Sequence, residues 1–219
     1  MKKMATLRIE SGCSMMLNGC TRSGKTTWLF RLLKQLPNMF KEPVPSTILY
    51  CYGVFQPMFN EMENTIANIS FHKGIPTSKV VENLDNTTLI ILDDLAYEVM
   101  KNNDISVLFT QGCHHKGISV IFITQNLYTQ GKKARTIALN TTYLVLFKSL
   151  RDMSTLQVLN HQIYPTHPGF LTAAYEDCMN TPYGYLLIDL HPYTNSDYRV
   201  RTFIFPNEDP VIYKFIKRH

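Results

Sequence analysis

The run Gly19-Cys20-Thr21-Arg22-Ser23-Gly24-Lys25-Thr26 matches glycine, four residues, glycine, lysine, threonine in full. It follows the short apolar segment Ser14–Asn18 and opens a segment with apolar residues at 28, 29, 32, 33 and 36, the spacing of one helix face. A strand, a glycine-bearing turn and a helix in that order leave few folds open. They also build an anion site, because the loop amides and the positive end of the helix point at the same place. The expected phosphate contacts run from Gly19 through Cys20, Thr21, Arg22, Ser23, Gly24, Lys25 and Thr26 to Thr27. Lys25 is placed to reach the β- and γ-phosphates of ATP, and the Thr26 hydroxyl to complete the shell of a Mg²⁺ ion.

The remainder of the chain keeps the same rhythm. Strands are expected at Thr47–Tyr52, Ile69–Phe71, Thr88–Asp93, Ile118–Thr124 and Tyr143–Phe147, with helices near Met58–Glu63 and Leu95–Phe109. Further on, helices over 153–163 and 170–178 are expected, then strands over Tyr185–Leu190 and Tyr198–Phe205. Near-continuous apolar strands separated by helices imply a buried, mainly parallel sheet. The expected fold class is α/β, a three-layer P-loop NTPase with a mainly parallel central sheet, in one domain spanning residues 1–219.

Two further sites carry chemistry. Leu89-Ile90-Ile91-Leu92-Asp93-Asp94 brings two carboxylates to the end of an apolar strand, where a parallel sheet meets its ligand crevice. Asp93 is the expected Mg²⁺ ligand. Asp94 stands where a carboxylate polarises the attacking water, with a helix cap as the alternative role. Gln125 ends the strand before Asn126 and is the candidate that contacts the γ-phosphate or the water, against the plainer role of bonding a loop. Water-activating hydrolysis is the favoured chemistry. A nucleotide or nucleoside kinase and a non-motor ATP-dependent binding switch are the alternatives.

Hydrophobic residues make up 45% and charged residues 18% of 219, which excludes a disordered chain. Apolar runs such as Thr88–Leu92 fall well short of the roughly 20 residues that cross a bilayer, and no secretion signal is visible, so an intracellular protein with no membrane contact is expected. Five scattered cysteines without Cys-x-x-Cys spacing give neither a disulfide framework nor a zinc site. The net charge of +5 permits a polyanionic partner without requiring one.

Beyond the loop, several stretches together resemble one family. They are Ile48–Gly53 with Gln56-Pro57, Leu92–Asp94, His114–Leu127, Arg135–Asn140, Tyr143–Lys148 with Arg151-Asp152, Ala174–Asp177 and Gly184–Leu190. In this order they are similar to genome-packaging ATPases of the FtsK/HerA superfamily, of the type carried by Polinton/Maverick elements and adintoviruses, with poxvirus-type relatives more distant. The resemblance implies the RecA/FtsK-like, additional-strand form of the fold and a DNA-stimulated ATPase, forming a ring of identical subunits that threads double-stranded DNA into a preformed capsid in an infected cell. Capsid portal or vertex proteins would be its further partners. It also implies a basic residue reaching each site from the neighbouring subunit. Where relatives often place an arginine, this chain has His114-His115-Lys116, so Lys116 is one candidate, with Arg151 and Arg135 as others. Asp94 stands where many relatives carry Glu. The segment Tyr128–Arg135, with Lys132, Lys133 and Arg135, is the expected DNA-contacting pore loop, hinged at Gly131.

Overall fold

The computed structural model describes residues 8–101, 108–109, 116–127, 132–149 and 153–215. Its centre is a continuous nine-stranded sheet in the order β3-β2-β4-β5-β1-β6-β7-β8-β9. The strands are β1 (Ser14–Asn18), β2 (Thr47–Tyr52), β3 (Ile69–Lys73), β4 (Thr88–Asp93), β5 (Ser119–Thr124), β6 (Tyr143–Phe147), β7 (Tyr185–Asp189), β8 (Val200–Thr202) and β9 (Val211–Tyr213). From β3 to β6 every neighbouring pair is parallel, and β7, β8 and β9 add on antiparallel. All of β1, β4, β5 and β6 are buried, which is why their sequences read as unbroken apolar runs.

The period-two alternation of these strands feeds two cores. Met15, Leu17, Leu89, Ile91, Ile121, Ile123, Val145 and Phe147 face one helical layer, built from α1 (Lys25–Leu33), α2 (Leu36–Met39) and α3 (Met58–Thr65). Met16, Ile90, Leu92, Val120, Phe122, Leu144 and Leu146 face the other. That layer holds α4 (Ser78–Glu82), α5 (Ala96–Lys101), α6 (Lys132–Leu139), α7 (Met153–Ile163) and α8 (Phe170–Met179). Helix, sheet and helix form three layers, and β5 lies between β1 and β4. This is the three-layer P-loop NTPase fold with the additional strand. No helix of the described residues is long and apolar enough to cross a membrane.

Some elements differ from the sequence reading. The first helix begins at Lys25 and stops at Leu33, and Leu36 opens a separate short helix, since Pro37 offers no N–H to extend the first ladder. The strand expected over Tyr198–Phe205 shrinks to Val200–Thr202. Before it, Asn195 caps a 3₁₀ turn at Ser196–Tyr198 by accepting from Asp197 N, and after it Phe203 takes a left-handed φ of 53° that ends the ladder. The helix expected over Leu95–Phe109 is described as α5, and most of the remainder lies outside the described residues. The stretch expected as a loop over Tyr128–Arg135 is helical at its carboxyl end. Lys132 to Arg135 form the first turn of α6, a helix that alternating Ile137 and Leu139 do not reveal by themselves, while Tyr128–Gly131 fall outside the described residues.

Candidate active site

The parallel strands all deliver their carboxyl ends to one edge, and the site gathers there. After β1, the chain turns through left-handed conformations at Arg22 (φ 63°) and Gly24 (φ 102°) before entering α1. Alternating handedness of this kind brings successive amides to one side, the arrangement that holds anions. Two neighbouring strands brace the loop. Gly19 N donates to Thr124 O at the end of β5, and Cys20 N and Sγ both point to Lys148 O just past β6. Gly19 has no room for a side chain, because a Cβ there would stand 2.7 Å from Phe147 Cβ.

Lys25 Nζ donates to Gly19 O at 2.6 Å and Cys20 O at 2.7 Å. Burial lowers its pKa, and its electrostatic interactions with Cys20, Asp93 and Asp94 act in the opposite direction. An ammonium with three donors keeps one for a further acceptor while these two carbonyls hold it in the loop. Thr26 and Lys25 line a cavity of about 370 Å³ together with Gln56, Asp93, Asp94, Ala96 and the segment 123–126. The structure thus brings Lys25, Thr26, Asp93, Asp94 and Gln125 to one opening.

Asp93 is buried, with 4% of its surface exposed, and burial is the main reason its carboxyl is raised above the ordinary carboxylate value. Tyr50 Oη donates to Asp93 Oδ2 at 2.8 Å and works against that rise, as does Lys25, whereas the Asp94 charge adds to it. Burial, with the charge of Asp93, holds the Tyr50 hydroxyl well above its usual pKa, so it remains a donor. Gln56 Nε2 donates to the same Oδ2 at 3.2 Å. Among the described residues both donors fall on Oδ2, leaving Oδ1 for a hydrated cation. One fixed carboxylate and one hydroxyl, Thr26, suit Mg²⁺, which keeps several waters and takes its other oxygens from phosphates. Among the described residues no cluster of three or more His, Cys, Asp or Glu offers a richer metal site.

Asp94 is exposed and takes a left-handed φ of 56°. It stands one residue before the cap position of α5, and a helix cap has extended geometry, so its backbone does not suit that alternative role. Its turn is packed instead against Gly53. Gly53 N donates to Asp93 O at 2.9 Å, and a Cβ on Gly53 would meet Asp94 O at 2.3 Å. Gln125 does bond a loop, but the loop is the phosphate loop: Thr21 Oγ1 donates to Gln125 Oε1 at 3.4 Å. Thr124 Oγ1 fixes the strand end by accepting from Asn126 N.

No protein-family model matches the chain, and no curated protein does. Among solved structures it is similar to the flagellar accessory protein FlaH from Methanocaldococcus jannaschii. The identity is 16% and the TM-score 0.46, over 63% of this chain and 72% of that one. The fold assignment rests on the strand order and the loop between β1 and α1.

Other expected residues lie elsewhere. Lys116 is exposed before the start of β5, and its Nζ donates to Glu82 O at 3.2 Å. The six residues of β5 put it about 20 Å from the cavity at the strand's far end. Arg151, His114 and His115 lie outside the described residues, as do the side chains of Lys132, Lys133 and Arg135. Tyr50, Gln56 and Gly53 support the site without having been assigned roles from the sequence. The Gln56-Pro57 pair just after β2, at the same sheet edge, was the available signal for Gln56.

Proposed function

We propose that the chain is an ATP-hydrolysing motor that drives double-stranded DNA into a preformed viral capsid. The observation that carries the hydrolytic part is the insertion of β5 between β1 and β4, which sets Gln125 beside Lys25, Asp93 and Asp94 around one cavity. The loop from Gly19 to Thr27 would hold the phosphates, and Lys25 would balance the negative charge that grows on the transferred group. Asp94 would accept the proton of a water as its oxygen attacks the γ-phosphorus, and Gln125 would orient that water, releasing ADP and phosphate. Thr26 and Asp93 would hold Mg²⁺, which when bound would supply positive charge to offset that of the phosphates.

The packaging part is supported by the resemblance of the sequence stretches to packaging ATPases. Helix α6 adds a physical argument. Its first turn carries Lys132, Lys133 and Arg135 and no acidic residue, at the helix end whose dipole favours anions. Cations there are favourable when a phosphate backbone lies alongside, and such contacts hold any DNA sequence and weaken with salt. Lys116, too far from the cavity of its own subunit, would act on that of a neighbour in a ring, and Arg151 is the second candidate for that role.

The test is phosphate release from ATP with and without double-stranded DNA. A saturable increase that falls with salt, abolished by Lys25→Ala in a protein that melts like wild type, is expected. Rates indifferent to DNA at every protein concentration and salt level would refute the motor. Lys116→Ala or Arg151→Ala subunits mixed into wild type are expected to depress activity more than dilution does, and simple dilution removes them as neighbour-acting groups.

A further inference from the structure

We infer that Tyr183 is the platform on which the base of the bound nucleoside triphosphate stacks. The inference rests on the nucleotide reading of the phosphate loop and goes beyond it by assigning the other end of the ligand. The terminal phosphate belongs with Lys25, Asp94 and Gln125, and these lie toward β4 and β5. On its other side β1 has β6 and then β7, so a triphosphate running along the loop past the start of α1 sends its nucleoside that way. Tyr183 stands there, in the turn that leads into β7.

Three observations single out this side chain. Its ring lies against the phosphate loop, with Cδ1 3.1 Å from where a Cβ of Gly24 would be. Yet 75% of its surface is exposed, so one edge is seated and the face is open. Its backbone has a left-handed φ of 57°, which a bulky side chain rarely adopts.

The turn that carries it is held firmly. Thr181 Oγ1 and N both donate to Cys178 O at the end of α8, Gly184 N donates to Thr181 O, and a Cβ on Gly184 would be 1.9 Å from Cys178 O. A face of α1 continues the wall. Positions 24, 28 and 31 fall in line, and Trp28 meets Tyr185 and Phe205 edge-on while Arg31 lies over Phe205 and pairs with Glu208. The rings of Tyr185 and Phe205 are buried in that wall, and Tyr183 is the one that offers a face to a planar base. Stacking of bases on aromatic rings tolerates any base and grows with ring area, so purine nucleotides are favoured over pyrimidine ones.

The experiment measures dissociation constants of the full chain, with Mg²⁺, for ATP, CTP and inorganic tripolyphosphate. Tyr183→Asn removes the ring and keeps a residue that accepts a left-handed backbone; Tyr183→Phe keeps the ring. Asn is expected to weaken ATP about tenfold, to weaken CTP less and to leave tripolyphosphate unchanged, whereas Phe binds all three like wild type. An equal loss for tripolyphosphate overturns the proposal, since Tyr183 would then act by shaping the phosphate loop. Unchanged ATP binding in the Asn variant overturns it as well. Wild type that binds neither ATP nor tripolyphosphate overturns the nucleotide reading, and this proposal with it.

Discussion

Gly53→Ala should cripple catalysis while sparing nucleotide binding. Gly53 has an ordinary backbone, so alanine costs nothing in conformation; the obstacle is the Asp94 carbonyl, 2.3 Å from the new Cβ. Relief to an ordinary contact moves the Asp94 peptide by about 1 Å, because the overlapping atom belongs to the backbone and has no rotamer in which to turn aside. A displacement of about 1 Å in a catalytic group costs on the order of 100-fold in rate. The overpacking itself costs about 1–3 kcal/mol, or a melting temperature lower by about 2–12 °C in a chain of this length. The phosphate loop is braced by β5 and the end of β6 and not by Gly53, so the dissociation constant for ATP should hold. The assay is steady-state phosphate release with parallel nucleotide binding and thermal melting. Placed on an Asp94→Asn background, Gly53→Ala should cause little further loss of rate, since both changes act on one group. A wild-type rate in the single variant, or a full 100-fold loss added to that of Asp94→Asn, would refute the link between the two residues.

Two further outcomes follow from buried charges. Asp93 keeps its proton in the fold above the ordinary carboxylate value of 3.8 because burial outweighs the Tyr50 hydrogen bond. From pH 3.8 upward to that raised value the folded chain binds a proton that the unfolded chain has lost, so stability falls as pH rises. Melting temperatures measured without nucleotide should therefore decline less steeply over this range in Asp93→Asn than in wild type, and parallel declines would contradict the burial effect. At the opposite sheet edge, Arg201 Nη2 pairs with Asp189 Oδ2 at 3.0 Å with both side chains buried. Asp189→Ala strands the guanidinium and should cost about 3–5 kcal/mol by chemical denaturation. Asp189→Leu with Arg201→Met should recover much of that loss, which a failure of the double variant to recover would disprove.

The central strands were legible because burial on both faces makes β1, β4, β5 and β6 continuous apolar runs, and the phosphate loop because its chemistry admits few substitutes. Asp93-Asp94 and Gln125, which line one cavity, are conspicuous for a related reason, since polar residues ending such strands stand out. Their supports were not legible. Tyr50 sits in an apolar strand and reads as core, and only the fold shows its hydroxyl on Asp93. Gly53 reads as an ordinary turn glycine until the Asp94 carbonyl is brought against it from β4. Tyr183 reads as a loop residue until β7 pairs with β6 and carries its turn to the phosphate loop. Short pieces such as α4 and β9 hold too few residues to show a period, and the break at Phe203 depends on one backbone angle.

The direct test of water-activated hydrolysis at this site is the fate of the γ-phosphoryl group. Purified protein incubated with ATP and Mg²⁺ in ¹⁸O-water should release ADP and ¹⁸O-labelled phosphate in equal amounts, with no added acceptor. Lys25→Ala and Asp94→Asn should each suppress the label. Phosphate that appears only when a nucleoside or nucleotide acceptor is supplied, and carried on that acceptor, would contradict hydrolysis and make the chain a kinase.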